Sequence, residues 1–262
     1  MSRLLSLPTE LVRHLLEYLQ GEELPLALTN TRLLTIARSI HISDDSMLSE
    51  QRLSAYMSSE SLTKFVLNHG MVVVNVKLMN RTARNGYLLS VKILREQDPP
   101  CPWDEWTSMN AGYGGGCRLF HVCACMFAAQ GGHLHVLQWL RSQDPPCPWN
   151  EETCSTAAYG GHLHVLQWAR SQDPPCPWNM TTCGHAAIGG HLHVLQWARS
   201  QDPPCPWNEK ICSAAAEGGH LHVLQWARSQ DPPCPWNEQD CVYDAVLNNH
   251  QHVVRWIRSQ NQ

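Results

Sequence analysis

The chain has 262 residues, 16 % of them charged, with 19 Lys and Arg against 23 Asp and Glu and a net charge of −4. That length suits one large domain or two small ones and suffices for a sizeable core. The balanced and scattered charge excludes the basic patch of a nucleic-acid binder, and no stretch approaches the roughly 18 apolar residues of a membrane span, so neither nucleic acid nor membrane is expected as a partner.

Residues 1–42 form the first predicted module. Arg3, Glu10, Arg13 and Glu17 interrupt any apolar run near the start, which argues against a secretory signal and for the cytoplasm or nucleus. The 12 cysteines are then expected as thiols. In LLSLPTELVRHLLEYLQGEELPLALTNTRLLTIARSI (4–40), Leu11, Leu15, Leu16 and Leu19 make a helical stripe after Pro8. The pattern resembles an F-box, L-P-x-E-L-x-x-x-I-L-x-Y-L followed by a turn and further leucines. Leu7, Pro8, Glu10, Leu11, Leu15, Leu16, Tyr18 and Leu19 carry the match, with Leu28 and Leu33 beyond the turn. The resemblance implies that these residues dock on the small adaptor subunit of a cullin-RING ubiquitin ligase. The alternative is an amphipathic N-terminal cap on the repeat array of residues 43–262.

That stretch, 43–262, is predicted as one array. Residues 60–70 read as the second helix of a weak unit, and 83–103 as a degenerate copy. Between 104 and 130 two first-helix patterns, ending AGYGG and FAAQGG, succeed each other without a second helix between them. An irregular unit is expected there.

Beyond it the repetition is plain. GGHLHVLQW begins at Gly131, Gly160, Gly189 and Gly218, each 29 residues after the last. DPPCPW begins at Asp98, Asp144, Asp173, Asp202 and Asp231, the first interval being 46 and the others 29. One unit reads NEETCSTAAYGGHLHVLQWARSQDPPCPW from Asn150. Asn150 suits an N-cap, and Glu151 and Glu152 suit the positive end of a helix dipole. Cys154, Ala157 and Ala158 form one apolar stripe, and Gly160 and Gly161 end the helix. A second helix runs from about His162 to Ser171 until Pro174, Pro175 and Pro177 forbid its continuation. Two helices this short cannot bury enough apolar surface alone, so neighbours must stack. Residues 237–262, with Asp244, Asn248 and Asn249, read as a terminal cap whose outer face meets water.

AAYGGHLHVLQWAR (157–170) resembles the ankyrin segment A-A-x-x-G-H-x-x-V-V-x-L-L. The unit lacks the T-P-L-H segment, is about four residues short, and carries DPPCPW in place of the β-hairpin finger. The resemblance implies an all-α, right-handed ankyrin-like solenoid behind an F-box-like helical module, binding a protein target on its concave face as a monomer.

Catalytic and metal chemistry find little support. Cys147, Cys154, His162 and His164 are spaced C-x6-C-x7-H-x-H, unlike a zinc finger, and His162 and His164 point to different faces of a helix. Cys154 reads as a small buried residue and His162 as capping or covering its helix. The tryptophan ladder lacks the basic groove that base stacking needs. GYGGG at 112–116 lacks the Lys-Ser/Thr of a phosphate loop. No nucleophile motif is present, so neither an enzyme nor a cofactor is expected.

Three units, beginning at Asn150, Asn179 and Asn208, match from the double glycine through the next CPWN. They differ only in a nine-residue window: EETCSTAAY, MTTCGHAAI and EKICSAAAE. In ankyrin arrays this region lines the partner-binding surface. The candidate contacts are Glu151, Glu152, Thr156, Tyr159, Met180, Thr181, His185, Ile188, Glu209, Lys210, Ala214 and Glu217. Drift would also alter exposed second-helix positions such as Gln167 and Arg170, and these do not vary.

Overall fold

The computed structural model describes residues 74–108 and 119–260, with Glu60, Thr63, Lys64 and Leu67 upstream. The F-box-like segment, with all of its adaptor-docking candidates, lies outside the described residues. The chain divides into two compact units, 1–105 and 106–262.

In the first unit, α1 (Val76–Arg84) and α2 (Leu88–Arg95) pack as a helix pair. Asn75 caps α1 by accepting from the Leu78 amide at 2.9 Å. Gly86 turns the chain at φ +78°, and Met79, Ala83, Val91 and Leu94 are fully buried. The four residues upstream are helical, as the pattern of residues 60–70 predicts, and the Thr63 hydroxyl lies 2.7 Å from that of Ser90.

The second unit is a helical-repeat array. Its pairs are α3 (Ala124–Gln130) with α4 (Leu134–Arg141), α5 (Glu151–Tyr159) with α6 (Leu163–Arg170), and α7 (Met180–Ile188) with α8 (Leu192–Arg199). They continue with α9 (Lys210–Glu217) and α10 (Leu221–Arg228), then α11 (Glu238–Leu247) and α12 (Gln251–Ser259). The fold class is all-α, with one exception among the described residues. β1 (Asp104–Ser108), where the first of the two tandem helix patterns was expected, and β2 (Leu119–Cys123), at the opening of the second, form a two-stranded sheet. Phe120, Val122 and Cys123 belong to a β-compatible run, LFHVC, in which local propensity outweighs the likeness to a first helix.

First helices pack on first helices along the array, α3 through α11. The small stripe allows this approach: Cys154, Ala157 and Ala158 are at most 1 % exposed, as are their counterparts Cys183, Ala186, Ala187, Cys212, Ala215 and Ala216. Val165, Leu166 and Ala169 of α6 close the layer beside them. All eleven described cysteines are buried free thiols. Burial holds the Cys125 thiol well above its ordinary range, and raises Cys101 to about 11 and Cys241 to about 12. These three thiols are packing residues.

The double glycine has a two-sided explanation. Gly161 N–H donates to Ala158 O at 3.1 Å and His162 N–H to Ala157 O at 2.9 Å, the paired bonds of a Schellman stop, with Gly161 at φ +73°. The His191 ring of the next unit then lies against it: a Cβ on Gly161 would stand 2.6 Å from His191 Nδ1. The glycines thus make room for the histidine of the adjoining unit.

That histidine joins neighbouring units. Its side chain makes no cap bond to its own helix, contrary to the capping role that the sequence suggests for His162. Instead Nε2–H of His162 donates to Gln130 O at 3.0 Å and that of His191 to Tyr159 O at 2.9 Å, bonds to the last turn of the preceding first helix. The second histidine of each pair does likewise, His164 to Gly132 O at 3.0 Å and His222 to Gly190 O at 3.1 Å.

Burial lowers the pKa of His162, His191 and His220 below the ordinary imidazole value. The folded state therefore binds fewer protons than the unfolded chain as pH falls. Their contribution is fully present above the unfolded value of about 6.5 and is lost as pH falls through the lower folded value. The urea midpoint is expected to drop between pH 7.5 and 5.5. Replacing these three histidines by glutamine should flatten that dependence, and an unchanged slope would rule the ladder out as its source.

The proline-rich loop is clamped by the arginine before it. Arg170 Nη1 donates to Cys176 O at 2.7 Å while its guanidinium lies 4.3 Å over the Trp178 ring. The same pair of contacts recurs at Arg95, Arg141, Arg199 and Arg228. Each loop tryptophan from Trp149 onward then meets the second-helix tryptophan of the next unit edge to face, Trp149 with Trp168 at 5.9 Å and Trp178 with Trp197 at 5.8 Å.

Candidate functional site

The nine-residue window falls on α5, α7 and α9 and their caps. Asn150 and Asn179 accept from the Glu152 and Thr181 amides and so set where the first helix begins. With the starts fixed, positions 151, 155 and 159 succeed one another at four-residue steps along one side of the helix, and so do their copies one and two units later.

The structure separates the predicted contacts into two sets. Tyr159, Met180, Thr181, Glu209, Lys210 and Glu217 are exposed, Tyr159 at 49 % and Met180 at 47 %. They occupy the two ends of the first helices. Glu151, Glu152, Thr156, His185, Ile188 and Ala214 are half-buried. In this second set Glu152 accepts from the Ser155 hydroxyl at 3.2 Å. The Thr156 hydroxyl bonds Glu152 O at 2.8 Å and reaches Met126 O of the preceding unit at 3.2 Å. His185 Nδ1 lies 3.2 Å from Ser155 O, and its ring meets the Tyr159 edge at 6.0 Å. Position 156, with its copy 185, is therefore a joint between units as much as a surface.

Two expectations change once the side chains are placed. Arg170 does not vary because it clamps the loop, so its constancy says nothing about surface drift. Gln167, Gln196 and Gln225 remain exposed and unvarying on the second helices, as do His164, His193 and His222, which bond the preceding unit. Conversely, one varying position packs inside: Thr153, Thr182 and Ile211 are at most 1 % exposed. The Thr153 and Thr182 hydroxyls have no hydrogen-bond partner there. Since isoleucine already fits in the third unit, Thr182→Val is expected to stabilise the fold by about 1 kcal/mol by removing a buried unpaired hydroxyl. A lowered urea midpoint in that variant would contradict the assignment.

Sequence reasoning missed the arginine clamp and the histidine ladder. The constant spacing from Arg170 to Trp178, eight residues in every copy, was a usable signal. The reach of His191 to Tyr159 O, 32 residues back, was not. Among the described residues no three His, Cys, Asp or Glu gather as metal ligands, and no helix is long and apolar enough to cross a membrane.

No family model matches the chain, and no curated protein does. Solved structures that it resembles include the pentatricopeptide repeat protein PPR10 in complex with an 18-nt psaJ RNA element, at 12 % identity and a TM-score of 0.33. A cysteine-to-serine variant of that protein with the same RNA matches equally. Each match covers 97 % of this chain and 37 % of the other, so the chain spans little more than a third of that protein's length. The expectation of no nucleic-acid partner, drawn from charge alone, is corrected by these RNA-bound neighbours and is withdrawn.

Proposed function

We propose that the chain is a binding module that holds a protein target on the first-helix surface of its repeats, and that its F-box-like segment joins that target to a ubiquitin-ligase adaptor in the cytoplasm or nucleus. The observation that carries the reading is the contrast between surface positions. Tyr159, Ile188 and Glu217 differ from unit to unit, whereas Gln167, Gln196 and Gln225 are identical. A surface that recognises a partner diversifies where it touches and not elsewhere. The ankyrin-like order of the units supports the same surface. The alternative is a scaffold or sequestering protein with no ligase role.

Proximity labelling in cells with the full chain tests the reading. Changing Tyr159, Met180 and Glu217 together to alanine should abolish a set of labelled proteins that the triple change at Gln167, Gln196 and Gln225 retains. Leu11→Asp with Leu15→Asp should remove the ligase adaptor alone. Cross-linked RNA lost on the first triple change, with no protein lost, would replace the protein target by RNA. Absence of the adaptor from the wild-type set would leave the scaffold alternative.

A further inference from the structure

The array carries thiols in pairs, and the pairs recur. Cys154 and Cys176 are 22 residues apart, as are Cys183 and Cys205, and Cys212 and Cys234. The first of each pair stands in a first helix, the second in the proline-rich loop after the second helix. All six are at most 1 % exposed. Cys154 Sγ lies 3.9 Å from Cys176 O, and Cys183 Sγ lies 3.9 Å from Cys205 O. The loop sulfurs return to the start of the same first helix, Cys176 Sγ 3.4 Å from Asn150 O, Cys205 Sγ 3.3 Å from Asn179 O and Cys234 Sγ 3.5 Å from Asn208 O. In every pair the two thiols are hydrogen-bonded to each other.

Packing alone does not require a second sulfur. The first helix pair keeps the loop cysteine as Cys101, 3.2 Å from Asn75 O and clamped by Arg95, but has a buried Met79 in the partner position. The surroundings of the paired loop thiols also favour their charged form. Arg199 donates to Cys205 O at 2.7 Å and Arg228 to Cys234 O at 2.6 Å, which sets a guanidinium beside each loop cysteine. The hydrogen bond from the first-helix thiol, and after it these arginines, lower the pKa of Cys205 and Cys234, whereas burial raises that of Cys101 to about 11.

We propose that each of these pairs is an oxidation site, at which hydrogen peroxide joins the two thiols in a disulfide that closes a covalent ring through one helix pair. The loop thiolate attacks peroxide, which forms a sulfenic acid and releases hydroxide. The first-helix sulfur then attacks the sulfenic sulfur, the S–S bond forms and water leaves. The hydroxide takes up the proton that the loop thiol lost. Two thiols and one peroxide thus give one disulfide and two waters.

Access comes through the loop and not through the helices. Pro204 and Pro206, on either side of Cys205, are exposed. The loop is tied to its own helix by Cys205 N–H donating to Ala198 O at 2.9 Å and by the Arg199 clamp. Lifting it uncovers the thiol and leaves both helices in place, the kind of local opening that costs less than unfolding the array. When the loop settles again, the oxidised sulfur meets the first-helix thiol. The site is independent of what the first helices bind.

Peroxide treatment of the full chain, alkylation of the remaining thiols and non-reducing tryptic mapping test the proposal. The expected result is three links, Cys154–Cys176, Cys183–Cys205 and Cys212–Cys234, each with the loss of two hydrogens and each reversed by dithiothreitol. Cys101, which has a methionine in its partner position, should be recovered alkylated. Cys205→Ala should lose the Cys183–Cys205 link and keep the other two; the wild-type map decides the matter if that variant does not fold. Links between near neighbours in sequence such as Cys176–Cys183, an unordered mixture of pairings, sulfinic acid in place of links, or thiols that all remain open to alkylation would each overturn the proposal.

Discussion

Gly190→Ala is expected to destabilise the repeat array by about 3 kcal/mol, read as a lower urea midpoint. Gly190 sits at φ +74°, where an alanine costs roughly 1–2 kcal/mol. Its new Cβ would also stand 2.6 Å from the His220 ring, at both Cε1 and Nδ1. The ring must then move, and its bond to the Ile188 carbonyl is lost at a cost of about 1 kcal/mol. The damage falls on the joint between two units, so one residue uncouples neighbours in an array whose stability rests on that coupling. Gly184→Ala provides the opposite expectation. Gly184 lies inside α7, and a Cβ there would meet only Ile211 Cδ1, at 3.9 Å. It should stabilise by about 0.5–1 kcal/mol, the ordinary gain of alanine over glycine in a helix. Equal effects of the two substitutions would refute the histidine-against-glycine account.

Arg199→Ala is expected to cost about 2–3 kcal/mol. The side chain donates to Cys205 O at 2.7 Å, and that residue's side chain is fully buried. Losing a charged donor to a carbonyl costs about 1.5–3 kcal/mol, and losing the cation over Trp207 adds about 0.5–1 kcal/mol. Trp207 in turn leans on Trp226 of the next unit at 6.0 Å, so the loop loosens from both sides. Arg199→Lys should recover less than half of the loss. An ammonium cannot both stack flat on the indole and direct a second donor at the carbonyl. Thermal melts followed by tryptophan emission read both variants. A shift within error for Arg199→Ala would make the arginine a surface decoration.

The helix pairs were legible because short-range chemistry writes them. Asn150 as a cap, the Cys154–Ala157–Ala158 stripe, the glycine stop and the proline barrier each act within a few residues. Their repetition at a fixed period announces stacking. The 104–108 strand was not legible, since its residues resemble the opening of a first helix and only pairing with 119–123 decides otherwise. The candidate surface was legible in part. Variation in the window marked Tyr159, Met180 and Glu217, which are exposed, but also marked position 153, which is buried in every copy.

What the amino-acid sequence determined by itself is the brick: where each helix starts and stops, which stripe is small enough to pack, and that one brick cannot stand alone. What only the tertiary structure decided is how bricks are joined. His191 finds its acceptor in another unit, and each loop tryptophan meets the second-helix tryptophan of the unit after it. The reason is range. Caps and stops are settled by backbone bonds between near neighbours. The use of a side chain thirty residues from its partner depends on where stacking brings the two together, and no local pattern encodes that distance.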